Sequence, residues 1–276
     1  MEGYAYYNGK IGRCNDISIP LTDRVIYFGD GIYEVIIGHS GRLFLADEHI
    51  ERMFGGLKAL NINADITKDK LLALIHNLIV LSGYGSYLVY ICISRNADER
   101  RHSYLDSASA NLLITIKEFV LEKTPPLNLI TVNDERYNYC NIKTVNLLPA
   151  VIAATKAEAV GCDEAVFVKS GIITECSRSN LFLIKDGALV THPESRLILP
   201  GITRKALIKT AAELKISVIE KGVTVDEALN ADEVIITGTT KLATEASSIN
   251  GYPVGGKARD LLLSLKDALW RSYKNI

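Results

Sequence analysis

The sequence contains no Cys-x-x-Cys pair. Its five cysteines, Cys14, Cys92, Cys140, Cys162 and Cys176, are odd in number and widely spaced. That pattern excludes a disulfide framework or a cysteine-based zinc site and points to reduced thiols in a cytoplasmic compartment. The five histidines fall into no His-x-x-x-His or His-Glu-x-x-His spacing, so no metal is expected. Neither sign of charge is in excess. A formal net charge of -1 favours neither a polyanion nor an acidic membrane surface, so nucleic acid and membrane are excluded as partners. Long hydrophobic runs are also missing. The longest apolar region, residues 71–93, is broken by His76, Asn77, Gly83 and Gly85. It reads as a helix followed by a strand, not as a membrane span. The opening MEGYAYYNGK has no basic stretch leading into an apolar one, so no signal peptide is expected there. There is no internal repeat and no low-complexity segment.

What is present is an ordinary globular composition, 48% hydrophobic and 23% charged over 276 residues. That length allows one large or two modest domains with a sizeable core. GYAYYNGKIGR reads as a hairpin turning at Asn8 and Gly9, and GIYEVIIGHSGRLFLAD as another turning at Ser40 and Gly41. DEHIERMFGGLKALNI carries Ile50, Met53, Leu57 and Leu60 on one helical face. TKDKLLALIHNLIVLSG is a second helix, capped by Thr67 and ended by Gly83. SYLVYICIS and ANLLITIKEF read as strands. Pro125 and Pro126 then interrupt, which places a linker at residues 121–126 between a small α+β domain (1–120) and a larger domain (127–276). The second half reads as strand, helix, two hairpins (at Ser170 and Gly171, and at Asp186 and Gly187), helix, strand and a C-terminal helix.

Lys143, in CNIKTVNLL, sits where the chain turns apolar. One reading is a lysine that buries its stem and keeps its head in water. The other is a nucleophilic amine, since burial and a helix N-terminus starting near Asn146 both disfavour the charged form. A neutral amine condenses with aldehydes. If the aldehyde is pyridoxal phosphate, the chain must also supply a phosphate cup, a carboxylate for the ring nitrogen and cationic or hydroxyl groups for a substrate carboxylate. Gly201, Ile202 and Thr203 open a helix with free N–H groups. Gly238 and Thr239 form a small-residue turn after a strand. Glu175 ends a strand among small polar residues.

Taken together, DRVIYFGDGIYEV, DEHIERM, NIKTVNLLPAVIAATKAEAVGCDEAVFV, ITECSRSNLFLI, LILPGITR and VIITGTT resemble, in order, the class IV (fold-type IV) pyridoxal-phosphate aminotransferases. The resemblance runs nearly end to end and is closest to the D-amino-acid aminotransferases. It implies a two-domain α+β / α/β enzyme: a small N-terminal α+β domain and a larger, barrel-like mixed α/β domain. It implies pyridoxal 5'-phosphate as cofactor, with Lys143 as the lysine that holds it and as the catalytic group. Glu175 is implied under the ring nitrogen, Arg52 at the phosphate, and Ile202, Thr203, Gly238 and Thr239 as the phosphate cup. Leu199 is implied against the ring, and Ser179 and Asn180 as a polar pair beside the cofactor. Arg136 takes a supporting role. Tyr33 with Arg100 and His102 is implied to grip the substrate carboxylate. Tyr139, Asn141 and Arg178 depart from the D-specific pattern. The implied reaction moves an amino group between a D-amino acid and 2-oxoglutarate or pyruvate with ping-pong kinetics. A homodimer is implied, with the Arg-x-His loop coming from the neighbouring chain. A branched-chain L-amino-acid aminotransferase and an aminodeoxychorismate lyase remain as alternatives, and outside catalysis a module that merely binds a phosphate ligand.

Overall fold

The computed structural model describes residues 3–104 and 109–276. Met1 and Glu2, at the head of the stretch read against a signal peptide, lie outside the described residues. The chain divides into two compact units. One is Met1–Leu121 with Ile142–Asn146 and Ile276; the other is Glu122–Asn141 with Leu147–Asn275. The segment carrying Lys143 therefore belongs with the N-terminal unit.

The N-terminal unit contains a six-stranded sheet in the order β2-β1-β6-β5-β3-β4. Its strands are β1 (Tyr4–Tyr7), β2 (Lys10–Arg13), β3 (Gly31–His39), β4 (Arg42–Leu43), β5 (Ser86–Ser94) and β6 (Asn111–Glu118), and every pairing is antiparallel. A five-residue helix, α1 (Arg24–Phe28), precedes β3. It has too few residues for a helical period to show in the sequence. Asp23 starts it by accepting from Val25 N, and Gly29 ends it in a left-handed conformation, φ 61°. Helices α2 (Ala46–Ala59) and α3 (Lys68–Ser82) send Ile50, Met53, Leu57, Leu71, Ile75 and Leu78 into one core with Ile36, Val89, Ile91 and Ile114 of the sheet. The helical periods match because α2 and α3 each bury a single face, whereas β3 and β5 alternate at first and run buried toward their ends.

The C-terminal unit contains a mixed ten-stranded sheet. In chain order its elements are β7 (Leu127–Asn133), α4 (Leu148–Ala159), β8 (Glu164–Lys169), β9 (Ile172–Cys176), β10 (Asn180–Lys185), β11 (Ala188–Thr191), α5 (Ile202–Glu213), β12 (Val218–Glu220), β13 (Val223–Thr224), α6 (Val225–Leu229), β14 (Glu233–Gly238), β15 (Leu242–Ile249), β16 (Tyr252–Pro253) and α7 (Arg259–Lys274). The strand order is β12-β11-β10-β14-β15-β7-β8-β9-β13, with β16 on β15. Parallel pairs occur where a helix or a long return connects the strands, as in β7-α4-β8 and β11-α5-β12. The centre of this sheet is β15, whose LATEASSI lacks apolar alternation. Glu245 is buried there because Arg259 and Lys266 of α7 meet its carboxylate. Helix α4 begins at Leu148, close to the expected start near Asn146, and its first turn has no side-chain cap because the Asn146 amide donates to Gly29 O. Among the described residues no helix is long and apolar enough to cross a membrane.

Candidate active site

Within the N-terminal unit, the Lys143 segment is an extra rung on β3. Tyr33 N donates to Lys143 O (3.0 Å), Val145 N donates to Gly31 O (3.2 Å), and Ile32 bridges Thr144. Asn146 Nδ2 donates to Gly29 O (2.8 Å), and Ile142 packs on the core of this unit. A Cβ on Gly29 would stand 2.7 Å from Asn146 Oδ1, so only glycine admits this closure. Lys143 is half-buried, and the apolar run that follows it is exposed at Leu147 and Leu148. The expected dive into the interior does not occur. The amine instead lies over an aromatic face, with Nζ 4.4 Å from the Tyr33 ring centroid. Among the described residues it forms no ion pair. Tyr33 is itself stacked on Tyr90, at 5.6 Å between ring centroids.

Arg52 is held from the opposite side of β3. Glu34, fully buried, takes Arg52 Nε and Nη2 in a fork at 2.7 and 2.8 Å, and His49 Nδ1 lies 2.8 Å from the same carboxylate. Burial pushes the Glu34 carboxyl up. Hydrogen bonds from His49 and Arg52 more than reverse this and hold it at about 2. Burial lowers the His49 pKa, so its ring is neutral at pH 7. A carboxylate can only accept, so the Nδ1 proton sits between the ring and Glu34. The resemblance singles out Arg52 but neither of its two holders, Glu34 and His49. The signals were a glutamate inside an apolar strand and a histidine one helical turn before the arginine. Arg100 and His102 are exposed and meet at Phe28, at 5.6 and 5.4 Å from its ring centre. Among the described residues no hydrogen bond or ring contact joins them to Tyr33.

Within the C-terminal unit, Glu175 is the hub. One carboxylate oxygen accepts from Arg136 Nη1. The other accepts from Asn180 Nδ2 and from Leu199 N, both at 2.9 Å. All three partners are donors, which suits a carboxylate acceptor. Arg136 also forks onto Asp134 and lies 4.2 Å over Phe167. Burial acts to lower the Arg136 pKa, but Asp134 and Glu175 outweigh it, so its charge is fixed. Asn180 donates also to Leu199 O (3.0 Å), and a Cβ on Gly201 would collide with its Oδ1. Residues 199–201 are thus tied to Glu175 just before α5 opens. Ile202 and Thr203 are buried in its first turn, and Gly201 offers no side-chain cap, so backbone N–H groups are what this end presents.

Ser179 donates to Glu164 (2.7 Å), as does Arg178 N (2.9 Å), while Lys241 Nζ reaches the same buried carboxylate at 2.9 Å. Glu164 therefore ties the loop before β10 to the turn of residues 238–241. Gly238 lies beside Ser179: a Cβ there would stand 3.7 Å from that of Ser179, an ordinary contact. Thr239 is half-buried in this turn. The buried hydroxyls of Ser177 and Thr237 have no hydrogen-bond partner among the described residues. Tyr139, Asn141 and Arg178 all face solvent; Tyr139 stacks loosely with Arg196, and Arg178 caps Asp163 O.

The N-terminal unit offers an amine free of an ion pair and a preset arginine. The C-terminal unit offers a carboxylate surrounded by donors, an uncapped helix start and buried hydroxyls beside a small-residue turn. Each is a group type that pyridoxal phosphate would call for. Pairings far apart in sequence, such as Glu164 with Lys241, carried no local signal.

Residues 31–249 match the family model described as amino-transferase class IV. A D-alanine aminotransferase of Bacillus licheniformis is 33% identical over 257 residues, 91% of this chain and 90% of that protein. Among solved structures, the branched-chain amino acid aminotransferase of Escherichia coli superposes with a TM-score of 0.91 at 24% identity, covering 99% of this chain and 95% of its own. A putative 4-amino-4-deoxychorismate lyase of Legionella pneumophila reaches 0.86 at 27% identity, covering 93% and 96%. The fold is that of the fold-type IV enzymes. The chain belongs to the class IV aminotransferases.

Proposed function

We propose that the protein is a pyridoxal-phosphate-dependent D-amino-acid transaminase that passes the amino group to a 2-oxo acid, 2-oxoglutarate or pyruvate. The observation that carries this reading is the likeness, along about nine-tenths of both chains, to a protein named D-alanine aminotransferase. Tyr33, Arg100 and His102 support it as the groups that take the α-carboxylate, with arginine meeting it in a bidentate fork.

When bound, pyridoxal phosphate supplies an aldehyde for the amine and a protonated ring that spreads the charge left at Cα. Lys143 would hold the cofactor through its amine. Its Nζ would take the proton from the substrate Cα, hold it and return it, as base and then acid. The aromatic face of Tyr33 keeps this amine in place without a carboxylate that would pin it as an ion pair. Glu175, oriented by Arg136, Asn180 and Leu199, keeps the proton on the ring nitrogen. Arg52, Ile202, Thr203, Gly238 and Thr239 hold the phosphate, with Ser179 bracing that turn through Glu164. Which face of Cα presents its proton to Lys143 follows from where the carboxylate is gripped, and that sets D against L. The working unit is a homodimer, supported by an exposed apolar face on α4. Its site is cytoplasmic, supported by five free cysteines.

The test is a half-reaction. Holoenzyme is mixed separately with D-alanine, D-glutamate, L-leucine and L-glutamate, and loss of the visible cofactor band is followed. The two D-amino acids are expected to discharge it. Conversion by L-leucine without conversion by D-alanine would overturn the reading in favour of a branched-chain enzyme. Release of pyruvate from aminodeoxychorismate without an amino acceptor would overturn it in favour of a lyase.

A further inference from the structure

Residues 22–24 and 95–98 zip together by backbone. Arg24 N donates to Asn96 O (2.9 Å), Asp98 N donates to Thr22 O (3.0 Å), and Asp23 bridges Ala97. Beyond Asp98 the chain is held by side chains: Arg101 pairs with Asp98 at 2.9 Å, Arg95 lies 3.5 Å over the Tyr104 ring, and Arg24 takes the carbonyls between. Arg24, 3% exposed, donates through Nη1 to Arg101 O (2.8 Å) and Ser103 O (3.5 Å), and through Nη2 to His102 O (3.3 Å). Its Nε is spent on Asp30 Oδ2 at 2.8 Å. Asp30 also takes Arg95 Nε at 3.0 Å, so one carboxylate balances two guanidinium groups. Four residues along the same short helix, Phe28 lies under the Arg24 guanidinium at 4.7 Å, and its ring is the one that Arg100 and His102 touch.

A planar guanidinium with several fixed donors can hold three successive carbonyls and a carboxylate at once; an ammonium cannot. Nothing about catalysis requires a buried arginine at this place, and burying one is costly unless its donors are met. Here they are met by the backbone of the loop that carries Arg100 and His102.

We infer that Arg24 and Phe28 of α1 are positioning residues for the substrate-carboxylate clamp: Arg24 fixes the backbone of residues 101–103, and Phe28 is the floor against which Arg100 and His102 rest. This inference rests on the reading of Arg100 and His102 as carboxylate-binding groups. A loop so held presents its arginine at a set place, and the substrate does not have to order it on arrival. The effect falls on substrate capture, because neither residue touches the amine or the ring-nitrogen carboxylate.

The experiment compares holoenzymes of the wild type, Arg24→Lys, Arg24→Ala, Phe28→Leu and Arg100→Ala. For each, cofactor stoichiometry, melting temperature and the D-alanine half-reaction are measured over a range of concentrations. The half-saturating D-alanine concentration is expected to rise by about ten-fold or more for both Arg24 variants, while the saturating rate stays within about two-fold and cofactor content is unchanged. Millimolar guanidinium ion is expected to restore part of the loss in Arg24→Ala and none in Arg24→Lys. A fall in saturating rate together with lost cofactor would mark Arg24 as a general structural support and overturn the inference. If Arg100→Ala raises half-saturation and the Arg24 variants do not, the inference fails and the clamp reading stands. If Arg100→Ala changes nothing, the clamp reading falls and takes the inference with it. Where the Arg24 variants yield no holoenzyme, Phe28→Leu decides, since it leaves the Arg24–Asp30 pair intact: raised half-saturation supports the inference and unchanged half-saturation overturns it.

Discussion

His49 shows how much of this chemistry is set by single buried groups. It is 1% exposed and faces an anion on one side, yet burial wins and depresses its pKa below the ordinary value of 6.5. Glu34 favours the protonated ring, while the Arg52 and Lys143 charges disfavour it, so their net effect does not rescue the imidazolium. The folded protein thus binds fewer protons at this site than the unfolded chain does. Stability from His49 is fully present above pH 6.5 and is lost as pH falls through the lowered folded value. The slope cannot exceed about 1.4 kcal/mol per pH unit for one group. Glu34 adds its own loss only as pH falls below its ordinary value of 4.5 toward the folded value of about 2, which lies below this window. His49→Gln is expected to remove the decline in urea stability between pH 6.5 and 5 while keeping a donor toward Glu34. An equal decline in wild type and variant would show that His49 is not its source.

At the scale of elements, the closure of the Lys143 segment onto β3 depends on two residues 117 positions apart, Gly29 and Asn146. Gly29→Ala would carry two penalties. An alanine in the left-handed region costs about 1–2 kcal/mol, and its Cβ would press on the Asn146 amide. Asn146→Ala removes the second penalty and leaves the first. Gly29→Ala is therefore expected to cost about 1–2 kcal/mol less in the Asn146→Ala background than in the wild type, measured by urea unfolding. Strict additivity would mean that the two do not meet. Neither penalty can be read from the local sequence, and this marks where sequence legibility ends. The hairpins at Asn8, Ser40, Ser170 and Asp186 were legible because the turn itself demands those residue types: Asn8, Ser40, Ser170 and Asp186 all adopt positive φ with glycine next. Helix α2 was legible from its spacing and α3 from its caps, Thr67 and Gly83. By contrast α1 is too short to show a period, and β15 hides a central strand behind Thr244, Glu245 and Ser248: Glu245 is buried against Arg259 and Lys266 of α7, and the half-buried Ser248 donates to Asn128 of β7. In the candidate site, Lys143, Glu175 and Arg52 were singled out through a resemblance spread over six segments. The groups that hold them, Glu34, His49, Asp134, Glu164 and Lys241, were not, because each works through a partner that only the fold brings near.

For the molecule as a whole, the apolar surface is unevenly placed. Leu148, Val151 and Ile152 of α4 are 67%, 54% and 46% exposed, and Leu147 just ahead of them is exposed as well. Spacings of three and four residues put these side chains on one face of the helix. An α4 that only covered its own sheet would turn such residues inward, as Ala153 and Ala157 do against Phe167. A contiguous apolar face of this kind, left bare on a chain of net charge -1, invites self-association and is what an obligate pair of subunits covers. Arg100 and His102, proposed to bind the substrate carboxylate, are exposed as well, and groups so placed would serve a neighbour's substrate as readily as their own. Sedimentation at micromolar concentration is expected to find the wild type as a dimer, and Leu148→Glu with Val151→Glu as a monomer, because two carboxylates buried without partners on each side cost more than the contact returns. The variant is expected to keep its melting transition, as both positions are solvent-facing in the single chain, but to lose D-alanine turnover at the concentrations where it is monomeric. A variant that remains dimeric would place the interface elsewhere. A monomeric variant with undiminished turnover would show that each chain supplies its own clamp.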